Sequence, residues 1–309
     1  MDTLVTGKKR YMPLPLEKVR QSILGRKSSR RVLGSAVLYA ILALGSLAFL
    51  YPLAWAFATS LKPLPQVINE PLGLIPRPAP QWSNYLEALT AQPFARYTLN
   101  TLIIVTFNII AVVGSGALVA YGFARFRFPG RDTLFTVLLA TMMLPGQVTL
   151  IPTYVFFSKI RWVDTYKPLI IPAFFGGGAF TIFLLRQFFM TLPLDLDDAA
   201  RMDGAGFFRI FLYILVPLAK PALATIAIFT FLGAWNDFFG PLIYLNSKEK
   251  ATIALGVYYF RISQFQFVNI IKWNLLMAAS LVFMLPSLII FFLAQDTFTK
   301  GISLTGVRG

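Results

Sequence analysis

Residues 97–124 read YTLNTLIIVTFNIIAVVGSGALVAYGFA, a stretch without a charged side chain. A helix that crosses about 30 Å of hydrocarbon needs roughly 20 consecutive apolar residues, and this stretch is long enough. The apolar–polar alternation typical of a transmembrane β-strand is absent from it. Because lipid offers the backbone no hydrogen-bond partners, the stretch is predicted to cross the membrane as an α-helix.

Comparable stretches recur on both sides of this one. They cover residues 32–61, 133–158, 168–185 and 273–295. A sixth, 221–236, is followed by the single charged residue Asp237 and another apolar run, 238–245. The fold class is therefore predicted to be an all-α polytopic membrane protein with six transmembrane helices. Proline and glycine inside several stretches, such as Pro145, Gly176–Gly178 and Gly240 with Pro241, indicate kinked helices around a pathway, although ordinary bundle helices tolerate them too.

Composition supports this class and excludes others. The chain is 57% hydrophobic and 13% charged, with a mean hydropathy of +0.67, whereas soluble domains are about 45–50% apolar and about 25% charged. It has no Cys and no His, so it can form no disulfide and offers no thiol nucleophile, imidazole base or Cys/His zinc site. No catalytic activity is expected of this chain, and an intramembrane enzyme would need catalytic groups that its spans lack.

Basic residues predict the orientation. Lys and Arg are concentrated in residues 1–31, around Arg125–Arg131 and in the tail, which places both termini in the cytoplasm by the positive-inside rule. That placement accounts for much of the net charge of +15 without nucleic acid. Ala54-Trp55-Ala56 resembles a signal-peptide cleavage site, but the apolar run before it is too long, so an uncleaved first helix is expected. We divide the chain into a basic segment, 1–31, and a transmembrane domain, 32–309.

One long loop on the predicted cytoplasmic side has a distinct pattern. Residues 186–223 read RQFFMTLPLDLDDAARMDGAGFFRIFLYILVPLAKPAL. Asp195 is predicted to cap a short helix, Gly204 and Gly206 to reverse the chain, and residues 207–216 to form a second amphipathic helix. Such a helix–turn–helix suits docking into the groove of a partner. It could instead lie against lipid, although its aspartates would then face anionic headgroups.

The same loop resembles the EAA loop of binding-protein-dependent ABC importer permeases. Asp198-Ala199-Ala200 corresponds to Glu-Ala-Ala, Gly204 and Ile214 follow at the family spacing, and Val216-Pro217 replaces Leu-Pro. The chain is similar in particular to the carbohydrate-uptake, MalG-like permeases. Further stretches carry that resemblance: WSNY (82–85), AYGFARFRFPGR (120–131), MMLPGQVTLIPTY (142–154), FLLRQFFMTLP (183–193), WNDFFGPLIYL (235–245) and GISLTGVRG (301–309).

This resemblance implies a type I importer permease in a bacterial or archaeal cytoplasmic membrane, with its EAA loop at about residues 193–220. It implies half of a translocation pathway for a sugar or oligosaccharide. The implied partners are a second, MalF-like permease, two ATPase subunits and an extracytoplasmic solute-binding protein. The chain has no G-x-x-x-x-G-K-[ST] phosphate loop, so ATP and Mg are expected on the ATPase subunits, and this chain is expected to hold no cofactor or metal.

The resemblance and the positions of individual residues give three candidate sites. The expected ATPase-coupling residues are Asp198, Ala199, Ala200, Arg201, Asp203, Gly204, Ala205 and Phe208. The candidate pathway residues are Asn236 and Asp237, since a carboxylate within a span is costly unless it has a role. The candidate contacts with the binding protein are Tyr258, Tyr259, Phe260 and Gln264.

Other interpretations accompany these sites. Asp198 is one methylene shorter than the family glutamate, which changes how it reaches a basic partner. Arg201 and Asp203 could form only a local surface pair, and Asp237 could make a structural hydrogen bond. For the whole chain, the alternatives are a permease of the same superfamily for a polyamine or peptide, and an ion-coupled secondary transporter. The latter usually shows internal repeats and several ion ligands.

Overall fold

The computed structural model describes residues 16–268 and 270–303. The first part of the predicted basic segment, residues 1–15, and the end of the GISLTGVRG motif, residues 304–309, lie outside the described residues. The chain divides into two compact units, Met1–Ala56 and Phe57–Gly309. The described part of the first unit is a single helix, α1 (Leu16–Ser60), whose last residues belong to the second unit.

The regular secondary structure of the second unit is helical, and no β-strand occurs among the described residues. A π-helical turn, Phe211–Leu215, joins two of its short helices. In chain order its helices are α2 (Leu64–Asn69), α3 (Ser83–Thr90), α4 (Phe94–Arg125), α5 (Arg131–Ala140), α6 (Gly146–Lys159), α7 (Lys167–Ile170), α8 (Ala179–Thr191), α9 (Asp195–Met202), α10 (Phe207–Ile210), α11 (Val216–Leu218), α12 (Lys220–Trp235), α13 (Phe239–Tyr244), α14 (Ile253–Val268) and α15 (Trp273–Ser303).

Four helical segments of the described chain are long and apolar enough to cross a membrane: Gly34–Ser60, Phe94–Arg125, Lys167–Thr191 and Trp273–Gln295. Two more pairs reach that length only as bent spans. Arg131–Met143 with Gly146–Lys159 bends by 98°, and Phe207–Leu218 with Lys220–Trp235 bends by 78°. The six predicted spans therefore require each bent pair to count as one crossing. The first bend lies at Pro145, as the sequence suggested, because proline cannot continue the helical hydrogen bonds.

The predicted sixth stretch, 221–236, and the apolar run 238–245 form two separate helices. The helix α12 ends at Trp235, and the separate α13 begins at Phe239. Proline lacks the N–H that a helix interior needs but fits the first turn of a new helix, where Pro241 lies. The interruption expected at Gly240 and Pro241 is therefore present, although the first helix already ends at Trp235, and the break places Asp237 between two helix ends.

The long helix α4 is the centre of the second unit and packs against α8 and α12. Its polar side chains bond to the backbone where the span Lys167–Thr191 is interrupted. Asn108 Nδ2 donates to the Leu169 carbonyl at 2.9 Å, and Ser115 Oγ accepts from the N–H of Gly176 at 3.1 Å. Gly176, Gly177 and Gly178 all have positive φ values, which only glycine adopts readily. The break is therefore built into the helix and has its own hydrogen bonds inside an apolar bundle.

Two main apolar clusters lie towards opposite ends of α4. The cluster at the α9 end contains Tyr121, Phe189, Ala200, Ile210, Phe211 and Leu215 among its buried residues. The cluster at the α14 end contains Phe94, Tyr97, Leu245, Leu255, Phe260 and Leu275. Both α9 and α14 are therefore fixed to the bundle by buried side chains.

Near the α14 end, Asp164 joins two connecting segments. Its carboxylate accepts from the N–H groups of Asn246 and Ser247, at 3.0 and 2.9 Å, and forms a 2.8 Å ion pair with Lys250. Desolvation alone would raise the pKa of Asp164, but the hydrogen bonds from Lys250, Ser247 and Asn246 together outweigh it and hold the pKa well below its usual value.

We expect Asp164→Asn to destabilise the folded chain at neutral pH by on the order of 1–2 kcal/mol. Hydrogen bonds to a charged group are each worth about 1.5–3 kcal/mol. The expected loss is smaller here because the Asp164 side chain is 28% exposed, so solvent screens its charge. Because the pKa of Asp164 is lower in the folded chain than in the unfolded chain, its carboxylate stabilises the fold at pH values above the unfolded pKa of about 3.9. This stabilisation is lost as the pH falls from there towards the folded-state pKa.

The measurement is thermal unfolding of the detergent-purified protein between pH 7 and pH 3. The difference in Tm between wild type and variant should shrink as the pH falls below about 4. Glu249→Gln removes a carboxylate from the same loop without touching Asn246 or Ser247, and is the matched control. An Asp164→Asn variant that unfolds like this control at pH 7 would contradict the assignment.

Candidate functional site

The helix α9 stands at one end of the bundle, between α8 and α10. It begins at Asp195 with Leu194 in the capping position, so the prediction of Asp195 as the N-cap was wrong. Its aspartates nevertheless occupy the first turn, where the helix dipole favours negative charge. The chain then reverses at Gly204, whose φ of +77° is left-handed, and α10 begins at Phe207. The predicted helix–turn–helix is present, although a π turn rather than a regular helix follows α10.

The two faces of α9 differ in burial. Asp197 and Ala200 are buried against the bundle. The other predicted coupling residues on this helix and in its turn are exposed, except Ala205, which is half-buried; the exposed ones are Asp198, Ala199, Arg201, Asp203 and Gly204. Two apolar side chains extend this exposed face, Met202 at 89% and Phe208 at 74% exposure. The structure therefore brings the predicted coupling residues together on α9 and its turn, but Ala200 is buried and is not accessible to a partner.

A buried ion pair that the sequence did not reveal fixes the inner face of α9. Arg125, the last residue of α4, places Nε 3.2 Å from Asp197 Oδ2, and both side chains are only 3% exposed. The Nε–H is not directed at the carboxylate, so the contact is ionic rather than a hydrogen bond. Arg125 Nη2 also donates to the carbonyl of Leu192 at 3.0 Å. One guanidinium thus holds both α9 and the segment that leads into it.

A second polar link supports the start of α10. The hydroxyl of Tyr121, one turn before Arg125 on α4, donates to the carbonyl of Phe207 at 3.4 Å. On the surface, Arg201 pairs with Asp198 at 3.8 Å and lies over the ring of Phe207. The suggested local pair of Arg201 with Asp203 is therefore replaced by a pair with Asp198, three residues earlier on the same face.

A cavity of about 390 Å³ lies beside the middle of α4. Its walls come from α4, α7, α8, α12 and α13, with the residues that join them. The lining residues are Ile104, Asn108, Val112, Leu169, Gly177, Phe180, Thr181, Phe229, Thr230, Gly233, Ala234, Asp237, Pro241 and Thr252. Ligand cavities in proteins typically measure about 300–1,000 Å³ and combine apolar walls with a few polar groups, as this one does.

Asp237 contributes both to this cavity and to the start of α13. Its Oδ1 accepts from the N–H of Gly240 at 3.1 Å, so the structural hydrogen bond considered above is present. A Cβ atom on residue 240 would lie 2.5 Å from Asp237 Oδ2 and 3.0 Å from Leu169 Cδ2, so a larger residue there would have to displace the carboxylate. Asn236 is not among the lining residues; its Nδ2 donates to the carbonyl of Leu232 at 2.8 Å.

The four residues predicted to contact a binding protein lie together on α14, but only two are partly accessible. Tyr258 and Tyr259 are half-buried, while Phe260 and Gln264 are buried. Phe260 packs edge-on against Phe94, and Gln264 Oε1 accepts from the N–H of Lys272 at 2.8 Å. Phe260 and Gln264 therefore stabilise the end of the bundle and offer no free surface. The burial of Gln264 in particular was not predictable, because a glutamine on a helix is usually exposed unless it has a hydrogen-bond partner distant in sequence.

The chain matches the family described as "Binding-protein-dependent transport system inner membrane component" over residues 113–304. That range includes the second half of α4, the α9 turn and most of the cavity wall.

Curated relatives match most of the chain. The diacetylchitobiose uptake system permease protein NgcG of Streptomyces coelicolor is 32% identical, covering 87% of each chain. The sn-glycerol-3-phosphate transport system permease protein UgpE of Pectobacterium atrosepticum is also 32% identical, covering 85% of this chain and 94% of the relative. Both are named as permease subunits of transport systems.

Solved structures share the fold. One chain of a bacterial ABC transporter for the acidic polysaccharide alginate superposes with a TM-score of 0.76 at 23% identity, covering 87% of this chain and 97% of that chain. A chain of the alginate transporter in complex with an alginate-pentasaccharide-bound periplasmic protein gives a TM-score of 0.63 at 16% identity, covering 86% and 94%.

The helical architecture, the matched residues and the relatives agree, and the chain belongs to the family of binding-protein-dependent transport system inner membrane components, as a multi-pass permease subunit.

Proposed function

We propose that this chain forms half of the pathway of an ATP-driven importer for a sugar or oligosaccharide, and that α9 is the surface on which an ATPase subunit docks. The observation that supports this most directly is the exposed face of α9 and its turn. It combines a small residue, Ala199, with an exposed carboxylate, Asp198, and the accessible side chains of Met202 and Phe208. An apolar patch with a charged rim suits a partner's groove.

The connections of α9 supply a mechanism. The helix is joined at one end to α8 and at the other, through α10 and α11, to α12. Both α8 and α12 contribute walls of the cavity, including Thr181 and Gly233. A displacement of α9 by an ATPase subunit therefore moves two walls of the cavity together, which is a two-state element that nucleotide on the partner can bias.

The complete transporter in this proposal contains a second, MalF-like permease, two ATPase subunits and an extracytoplasmic solute-binding protein. ATP and Mg bind the ATPase subunits and supply the work. The distribution of Lys and Arg supports cytoplasmic termini, with α9 on the cytoplasmic side. The half-buried Tyr258 and Tyr259 remain the candidates for contact with the binding protein at the opposite end. The name of the diacetylchitobiose permease supports a saccharide as the solute.

The proposal is tested by purifying the complete transporter in detergent and reconstituting it in lipid vesicles. The expected result is ATP hydrolysis that a solute-loaded binding protein stimulates, together with solute uptake that requires ATP. Uptake by this chain alone, without any ATPase subunit, would overturn the proposal.

We expect Phe208→Ser to release the ATPase subunits while this chain still folds. The side chain is 74% exposed, so it contributes little to the core, and a buried aromatic anchor at an interface is typically worth about 2 kcal/mol or more. The measurement is the amount of ATPase subunit that co-purifies, with Leu72→Ser as a control of equal exposure, 73%, in the segment between α2 and α3. Co-purification at the wild-type level would argue against docking at α9.

A further inference from the structure

We infer that the cavity between α4, α8, α12 and α13 is a solute subsite of this chain that accepts neutral saccharides and rejects anionic ones. The inference rests on the proposed function and adds to it a place and a class of solute. It also assigns a direct role in solute contact to this half of the pathway.

The charge of the lining residues is the basis for the inferred preference for neutral over anionic solutes. Among the described residues that line the cavity, Asp237 is the only charged one, and none of them is a Lys or an Arg. A phosphate or uronate group entering the cavity would meet a carboxyl group without a cation to balance it. Unpaired like charges in a site of low dielectric are strongly unfavourable, whereas sugar hydroxyls can donate hydrogen bonds to a carboxylate.

The remaining polar groups suit hydroxyls rather than ions. Thr181, Thr230 and Thr252 bring neutral hydroxyls to the wall. The amide nitrogen of Asn108 already donates to the carbonyls of Ile104 and Leu169, which leaves its Oδ1 as an acceptor. A hydroxyl both donates and accepts, so a polyhydroxylated solute can satisfy such a mixed set.

The cavity also has an aromatic wall. The rings of Phe180 and Phe229 lie 6.1 Å apart and are tilted by 53°, and both line the cavity. Apolar and aromatic surface with a few fixed polar groups is the usual construction of a small-molecule site. The C–H face of a sugar ring can pack on such rings while its edge hydroxyls reach the threonines and Asp237.

The location provides a direct link to the proposed motion. Phe180 and Thr181 follow the glycine break and belong to α8, and Gly233 belongs to α12. Leu169, on the other side of the break, is held to α4 by Asn108. A shift of α8 therefore changes the distance between two groups of lining residues, which couples solute contact to the position of α9.

Two glycine substitutions distinguish the effect of filling the cavity from the effect of adding a large side chain elsewhere in the chain. A Cβ atom on Gly233 or on Gly114 meets nothing within 4 Å, so neither backbone position itself excludes a larger side chain. Only Gly233 lines the cavity. Gly233→Phe fills it, and Gly114→Phe adds the same side chain to α4 elsewhere.

The experiment uses the detergent-purified complex of both permeases and both ATPase subunits, without the binding protein, whose own specificity would obscure that of the cavity. The probes are N,N′-diacetylchitobiose as a neutral saccharide and sn-glycerol 3-phosphate as an anion, with binding followed by saturation-transfer NMR. We expect the neutral probe to bind at least tenfold more tightly than the anion, Gly233→Phe to abolish its binding, and Gly114→Phe to retain it. Asp237→Asn keeps an acceptor for the N–H of Gly240 but removes the negative charge, so it should reduce the difference in affinity between the neutral and the anionic probe.

Equal or tighter binding of the anion would overturn the selectivity. The assignment of the cavity as a solute subsite would be overturned if the neutral probe still bound to the Gly233→Phe complex. It would also be overturned if neither probe bound to the wild-type complex. These outcomes are distinct from a failure of the proposed function, which would appear as an absence of associated ATPase subunits and of stimulated hydrolysis in the same preparation.

Discussion

Arg125→Ala is expected to cost about 3–5 kcal/mol of folding free energy, the typical loss when one partner of a buried ion pair is removed. Both Arg125 and Asp197 are 3% exposed, so solvent cannot replace the missing guanidinium. Within the described residues, the Asp197 oxygens have no hydrogen-bond partner. The variant would leave an uncompensated carboxylate inside the bundle and free the carbonyl of Leu192. We therefore expect a markedly lower Tm and loss of ATPase co-purification, because α9 loses its attachment to α4.

A matched control is available on the neighbouring helix. Arg131 and Asp132 pair at 2.9 Å, but their side chains are 27% and 78% exposed. Surface pairs are worth about 0–1 kcal/mol, so Arg131→Ala should change the Tm little. Similar losses in Arg125→Ala and Arg131→Ala would contradict the burial of the first pair.

A double variant distinguishes the cost of an unpaired buried charge from a role of the Arg125–Asp197 pair in positioning α9. Replacing a whole buried pair by apolar residues is often neutral or stabilising, so Arg125→Leu with Asp197→Leu should recover most of the Tm lost by either single change. If the pair also sets the position of α9, the double variant will remain deficient in stimulated ATP hydrolysis despite its restored stability. Full recovery of both properties would reduce the pair to a structural contact.

Much of the fold was predictable because a hydrocarbon layer imposes a length on every span. The distance between charged residues therefore located the α4 and α15 spans directly. The α9 turn was predictable for a different reason, since Gly204 and Gly206 mark a local reversal. Gly240 and Pro241 likewise indicated a break between α12 and α13. Its position was less predictable because apolar composition continues across it, and the structure ends α12 at Trp235, before Asp237.

The sites were less predictable where they depend on contacts distant in sequence. Arg125 ends a charge-free stretch, but nothing in that stretch indicates that Asp197, rather than Asp195 or Asp198, lies opposite it. The cavity was unpredictable for the same reason, because its wall combines residues as distant in sequence as Asn108 and Thr252. Sequence patterns report the face of one helix, whereas a cavity depends on how several helices pack.

The second large effect is expected at Gly256 on α14. A Cβ atom there would lie within 3.0 Å of ring carbons of Tyr97 on α4. Tyr97 is 1% exposed and packs edge-on against Phe94, so its ring has no free space into which it could move. Inserting methylene groups into a packed core typically costs about 1–3 kcal/mol, and more where the backbone must shift. Gly256→Leu should therefore separate α14 from α4 and lower the Tm more than Gly256→Ala does.

Gly114→Leu provides the control, because a Cβ atom on Gly114 of α4 has open space around it. If the Tyr97 ring is the obstacle, Tyr97→Ala will make room, and Gly256→Leu will then cost less than it does in the wild-type chain. That non-additivity is the expected sign of two residues in direct contact. Equal costs of Gly256→Leu in both backgrounds would place the obstacle elsewhere. Because Tyr258 and Tyr259 lie on the same helix, loosening α14 should also weaken stimulation by the binding protein if the proposed contact is correct.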